Sequence, residues 1–169
     1  MIWNPDRETM GRAALEALQT DLLRRQLAHV YGAVPFYRQK YREAGIAPEE
    51  VRSLDDLRAL PFTTKADFRD HYPFGLLAVP RQRLSRIHAS SGTTGKPTVV
   101  GYTRDDIAIW SEVMARTLTC AGANRNDFIQ IAYGYGLFTG GLGLHYGGGE
   151  NWGMGIPLPG GEKRRPRQR

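Results

Sequence analysis

From Asp6 to about Val30 the apolar residues Leu15, Leu18, Leu22, Leu23, Leu27 and Val30 recur at three- and four-residue intervals. That is the period of one helix face, and Pro5 suits a first helical turn, so the spacing predicts one long amphipathic helix. After Pro35, FYRQKYREAG predicts a short helix that stops at Gly45. Ser53 with Asp56, and Thr64 with Asp67, each set a hydroxyl three residues ahead of a carboxylate. These are capping boxes with the shorter acid; they open helices over SLDDLRALP and over TTKADFRDHYP, the latter halting at Pro73. Beyond Pro80 the period changes. LSRIHAS alternates as a strand does, and TVVGY is a short β-branched strand. Thr103 and Asp106 repeat the box before IAIWSEVMARTLTCAG, where Ile107, Trp110, Met114 and Leu118 fall near one helix face. NRND then turns the chain into the strand FIQIAY, followed by GYGLFTGGLGLHYGGG. Helices first, then strands alternating with a helix, predict an α/β layer architecture with ligand loops at strand ends.

Composition adds little to that picture. The 169 residues, 41% apolar and 24% charged, have the length and balance of one domain with a real core. No run approaches the roughly 18 apolar residues of a membrane span. MIWNPDRETM places acids and a proline where a secretory signal has a basic start and an apolar run, so the expectation is a cytoplasmic protein without membrane partners. Cys120 falls in an apolar helical pattern and is expected to be a small buried thiol. The net charge of +6 is concentrated at the end: Lys163, Arg164, Arg165, Arg167 and Arg169 against Glu162 supply four of those charges. Such a run without interleaved aromatics reads as a solvated end rather than a nucleic-acid site.

The chemistry lies between the two predicted strands. SSGTTGKP, residues 90–97, crowds the hydroxyls of Ser90, Ser91, Thr93 and Thr94 with Gly92, Gly95 and Lys96, which is either an anion loop or a solvent-exposed turn. A Walker P-loop needs glycine at position 90, a hydroxyl after Lys96 and a following helix; here stand Ser90, Pro97 and a strand. A dinucleotide fingerprint beginning at Gly134 and Gly136 breaks at Thr139. His29, His71, His88 and His145 have no metal-ligand spacing and are expected in packing or surface positions, so no metal site is assigned.

SSGTTGKP resembles the phosphate loop of the adenylate-forming acyl- and aryl-CoA ligases. With VPFYRQKYREAGI, LRALPFTTKADFRDHYPFGLLAVP, RIHASSGTTGKPTVVGYT and AYGYGLFTGGLGLHYG, the resemblance is to their phenylacetate-CoA ligase group, from Leu27 to Gly147. It implies an N-terminal helical segment, 1–80, and at 81–161 the incomplete beginning of the large α/β domain that binds ATP and acid, with 162–169 as a basic tail. It also implies a reaction: a carboxylate attacks the α-phosphorus of ATP, pyrophosphate leaves, and coenzyme A takes the acyl group from the adenylate. Ser90, Ser91, Gly92, Thr93, Thr94, Gly95 and Lys96 would hold phosphate oxygens, and each aimed donor in such a site is worth on the order of 10² to 10³ in rate. Lys65 would meet phosphate or be a solvated helix lysine. Tyr133, Gly134, Tyr135, Gly136 and Phe138 would line the pocket for the aryl ring, or pack the core.

The resemblance further implies that Mg²⁺ arrives with ATP and that the intact protein can be a homodimer. The family's adenine, ribose and Mg²⁺ groups, its hinge and its C-terminal lysine have no counterpart in these residues, so no catalytic residue is assigned. GGENWGMG departs from the Ala-Glu-Arg-Leu-Gly pattern of the family, and Ile156-Pro157 and Gly160-Gly161 return to it. The expectation is that 162–169, and in a wider form 148–155, come from a shifted frame or truncated gene, leaving an inactive fragment. A non-catalytic nucleotide-binding or interaction module, and a ligase for benzoate or an indolic acid, are the alternatives.

Overall fold

The computed structural model describes residues 1–90, 95–124, 126–131 and 143–146, with 155–157 as backbone. Two compact units are present: Pro5–Leu84 with Gly92–Val100, and Met1–Asn4 with Ser85–Ser91 and Gly101–Arg169.

In the first unit the long helix expected from Asp6 is two helices. Helix α1 spans Pro5–Glu8 and α2 spans Arg12–Ala33. At the break the Thr9 N–H makes an ordinary i→i−4 bond to the Pro5 carbonyl at 2.9 Å, and the Thr9 hydroxyl donates to the same oxygen at 2.7 Å. Such hydroxyl back-bonding slightly disfavours helix, and Gly11, extended at φ −63° and ψ 151°, restarts it without a side-chain cap. Of the predicted stripe only Leu27 and Val30 are buried, while Leu22 is 50% exposed. The second half of α2 is the part that finds partners, chiefly α3 (Pro35–Glu43) and the short 3₁₀ turns behind it.

Val34, fully buried, turns the chain between α2 and α3, and Pro35 supplies the first turn of α3. The helix ends as expected at Gly45, whose φ of +69° only glycine adopts cheaply. Leu27, Val30, Tyr41 and Val51 form the core of this unit, with Tyr37, Ile46 and Leu60 packed on it. Each fully buried aliphatic side chain contributes roughly 1.5–3 kcal/mol, which fixes the α2–α3 pair. Both expected capping boxes form. Ser53 and Asp56 open a 3₁₀ helix, Leu54–Ala59, and Thr64 and Asp67 open α4, Lys65–Asp70.

Strand β1 (Leu84–Ala89) pairs with β2 (Val99–Thr103), and α5 (Arg104–Cys120), in the second unit, follows directly through a third box on Thr103 and Asp106. The most buried line of α5 is Ser111, Ala115 and Thr119, four residues apart, and Trp110, Met114 and Leu118 flank it half-buried. Small residues there let the helix approach its neighbours closely. Cys120 corrects the expectation of a buried thiol: it is exposed. A helix turns about 100° per residue, so the residue after buried Thr119 is rotated out of the packed line. Beyond the Asn124–Asp127 turn, β3 (Ile129–Ile131) pairs in parallel with β4 (Gly155–Pro157), Ile129 opposite Gly155 and Ile131 opposite Pro157. Among the described residues no helix is long and apolar enough to cross a membrane.

Candidate functional site

Strand β1 ends at Ala89 and β2 begins at Val99, so the hydroxyl-rich segment joins two paired strands. Ser90 is exposed at the end of β1. Ser91, Gly92, Thr93 and Thr94 lie outside the described residues. Gly95 adopts φ +138°, a conformation an L side chain rarely takes, and a Cβ there would meet nothing within 4 Å. Glycine is therefore needed at position 95 for backbone shape and not for space.

Lys96 is exposed, and its ammonium lies 5.6 Å from the centroid of the Tyr72 ring. A cation over an aromatic face is attracted by about 0.5–1 kcal/mol at an exposed site, enough to bias a flexible side chain without fixing it. Lys65 is the first residue of α4, next to the Thr64 cap, and is also exposed. Tyr72 comes just after α4, so Lys65 and the Lys96–Tyr72 contact flank opposite ends of one short helix in one unit.

That helix is anchored. Asp67 accepts from the Thr64 N–H at 2.7 Å and from the Lys40 ammonium of α3 at 2.9 Å, with both side chains about four-fifths buried. The Thr64 N–H first, and Lys40 after it, hold the Asp67 carboxyl below the usual carboxylate range. Lys40 also lies 4.9 Å over the Phe36 ring, and the His71 ring packs tilted against the same ring at 4.7 Å while its Nδ1 meets the Asp67 carbonyl at 2.9 Å. Together with Gln39, Glu43 and Gly75 these groups line a cavity of about 590 Å³. Their polar groups are spent on one another, which suits them to hold α4 in place.

The aromatic candidates Tyr133, Gly134, Tyr135, Gly136 and Phe138 lie outside the described residues. In the second unit His88 is buried, 2% exposed, with its ring edge-on to Tyr102 at 5.4 Å and to Trp110 at 5.8 Å. This is a packing position, one of the two expected for it. Burial raises the Tyr102 phenol above its ordinary pKa, with Asp106 adding to the effect. Among the described residues no group of three or more His, Cys, Asp or Glu could hold a metal ion. Sequence reading overlooked Tyr72 and Arg86. The signal for Tyr72 was faint: an aromatic just past a helix whose other end carries a lysine.

The fold and the loop define the class: the chain matches the N-terminal region of an adenylate-forming acyl-CoA ligase. The crystal structure of 2-hydroxyisobutyryl-CoA ligase in complex with 2-HIB-AMP and CoA, in its thioesterification state, superposes on 96% of this chain with a TM-score of 0.88 and 31% identity, the match spanning 35% of that protein. Within the class the sequence is specific. It is 56% identical to the phenylacetate-coenzyme A ligase of Thermus thermophilus over 98% of this chain, and 53% identical to that of Escherichia coli over 95%. By sequence it is similar to part of the phenylacetate-coenzyme A ligases. The chain spans 37% of the length of those two relatives. No protein-family model matches it.

Proposed function

We propose that this chain supplies the ATP-phosphate loop and part of the acid-binding wall of an AMP-forming phenylacetate-CoA ligase in the cytoplasm. The observation that carries the reading is identity above one-half over nearly the whole chain, the loop at 90–97 included, to two phenylacetate-coenzyme A ligases. The 2-hydroxyisobutyryl ligase is related at 31%, so an aryl acid is preferred over a short hydroxy acid as substrate.

In this reading a carboxylate oxygen of the acid attacks the α-phosphorus of ATP and the bond to pyrophosphate breaks. The thiol of coenzyme A then attacks the acyl carbon of the mixed anhydride, releasing AMP and leaving the thioester. Charge accumulates on phosphate oxygens in the first step. Ser90, Ser91, Thr93 and Thr94 with the backbone N–H groups of Gly92 and Gly95 would receive it, and Lys96 would neutralise the pyrophosphate side. Lys65 is proposed as a second cation for the phosphates, and Tyr133, Tyr135 and Phe138 with Gly134 and Gly136 as the aryl pocket. Magnesium enters as the ion that accompanies ATP.

The test is a chimera in which these residues replace the matching segment of the Escherichia coli relative. Phenylacetate should support exchange of pyrophosphate into ATP and formation of the thioester, with benzoate and an indolic acid weaker. Lys96→Ala in the chimera should lower exchange by about tenfold or more. A chimera that folds and binds ATP but exchanges with none of the acids refutes catalysis and leaves a nucleotide-binding module. Exchange best with benzoate or an indolic acid would reassign the substrate.

A further inference from the structure

Outside the loop, the described residues of the second unit carry a cluster that the ligase reading does not use. Ser85 and Arg86 of β1, Arg104, Ile107 and Ala108 of α5, and Tyr146 of the helical turn at 143–146 line a cavity of about 350 Å³. The Arg86 guanidinium lies over the Tyr146 ring, 4.7 Å from its centroid, and donates to the Tyr146 hydroxyl. Since that oxygen accepts from Arg86, the phenol proton is left to donate into the cavity. Arg104 is the first residue of α5, a helix of 17 residues, and forms no ion pair among the described residues. Among the described residues no carboxylate lines the cavity: Asp106 is held by the N–H and hydroxyl of Thr103 at 2.8 and 2.7 Å, and Asp105 is exposed outside it.

Two guanidiniums around one cavity, with no carboxylate among the described lining residues, repel each other, and an anion removes that cost. The donors at hand are two planar forks and the Tyr146 hydroxyl, groups that recognise tetrahedral phosphate oxygens. A bare ion would leave most of the space unfilled, since about 300–1,000 Å³ is the size of small-molecule sites. Ile107 and Ala108 give the remainder an apolar wall. We propose that this cavity binds an organic phosphomonoester, its phosphate between Arg86 and Arg104 and its carbon skeleton against Ile107 and Ala108. The site is separate from the loop at 90–97 and does not depend on the ligase reading; only the choice of coenzyme A, with its 3′-phosphate, as the first probe rests on it.

The experiment is isothermal titration of the 169-residue chain with coenzyme A, dephospho-coenzyme A and inorganic phosphate, with ATP as the control ligand. Coenzyme A should bind at least about tenfold more tightly than the dephospho form, and Arg86→Gln and Arg104→Gln should each remove about tenfold of that affinity. Both variants should bind ATP as the unaltered chain does. Arg104→Gln is the safer variant, because its side chain is exposed at the helix start; circular dichroism melts confirm that each variant is folded. Equal binding of coenzyme A and its dephospho form, or affinities that the arginine variants leave unchanged, overturns the proposal. Binding of inorganic phosphate alone, dependent on both arginines, assigns the cavity to the free ion and overturns the phosphomonoester form. If ATP fails to bind while coenzyme A binds through the arginines, this proposal stands without the loop reading, which the chimera tests.

Discussion

In the proposed reading Lys96 is the cation of the phosphate loop, and Tyr72 gives its ammonium a place to rest. A side chain held near its working position loses less freedom on binding, so the ring should help ATP rather than hinder it. Tyr72→Phe keeps the aromatic face and is expected to leave ATP affinity unchanged, whereas Tyr72→Leu should weaken it about two- to fivefold by calorimetry. Equal affinities for both variants would remove Tyr72 from the site. Cys120 makes a second residue-scale prediction. Because it is exposed, a thiol reagent such as dithionitrobenzoate should react with the native chain at about one equivalent without denaturant. A thiol that reacts only after unfolding would contradict its place on α5. Gly-Lys-Pro between a hydroxyl cluster and a β-branched run is what made Lys96 a candidate in the sequence. The exposure of Cys120 was not legible there, since one residue of helix rotation separates a packed position from an open one, and apolar character alone does not choose between 119 and 120.

At the scale of elements, the hydroxyl-x-x-aspartate signal was read correctly three times, at Ser53, Thr64 and Thr103. It is legible because both halves of the box are local: each side chain meets backbone only three residues away. The start of α2 was not legible, because the back-bond from the Thr9 hydroxyl to the Pro5 carbonyl is a local contact that periodicity does not record. The Thr64 box carries a pH dependence. The Asp67 carboxyl is held below its usual range by the Thr64 N–H and then by Lys40, so its contribution is present above the unfolded value of about 3.9 and is lost as pH falls below it. Asp67→Asn should therefore lower the melting temperature at pH 7, and the gap between the two proteins should narrow as pH falls below about 4. A gap that does not change with pH would mean that the charge on Asp67 is not what holds α4. A Cβ at Gly143 would come to 2.7 Å from the ring of Trp110 on α5, so Gly143→Ala should cost about 1–3 kcal/mol of stability in urea unfolding.

Across the whole chain, what sequence reading reached was the order of helices and strands, and what it missed was pairing between distant segments. β4 is three residues ending in proline, a run with no strand signal of its own, and only the parallel partner β3 makes it a strand. Parallel pairing needs a crossover, and these strands are separated by the segment where glycine and aromatics alternate. The same non-local dependence shows on the surface. Ile109 and Val113, one turn apart on α5, are 65% and 50% exposed, and Phe128 ahead of β3 is 71% exposed. Scattered apolar residues are ordinary on a protein surface, but two on one helix face make a stripe that water does not favour. The 169-residue chain alone is therefore expected to self-associate, with a light-scattering mass that rises with concentration. Replacing the stripe by Ile109→Glu and Val113→Lys, an acid four residues ahead of a base, adds a favourable helix pair and removes the apolar contact. The double variant should scatter as a monomer and melt no lower than the unaltered chain, because neither side chain is buried in it. If the unaltered chain is already a monodisperse monomer at high concentration, the stripe is too small to matter. If the double variant still associates, another surface holds the copies together.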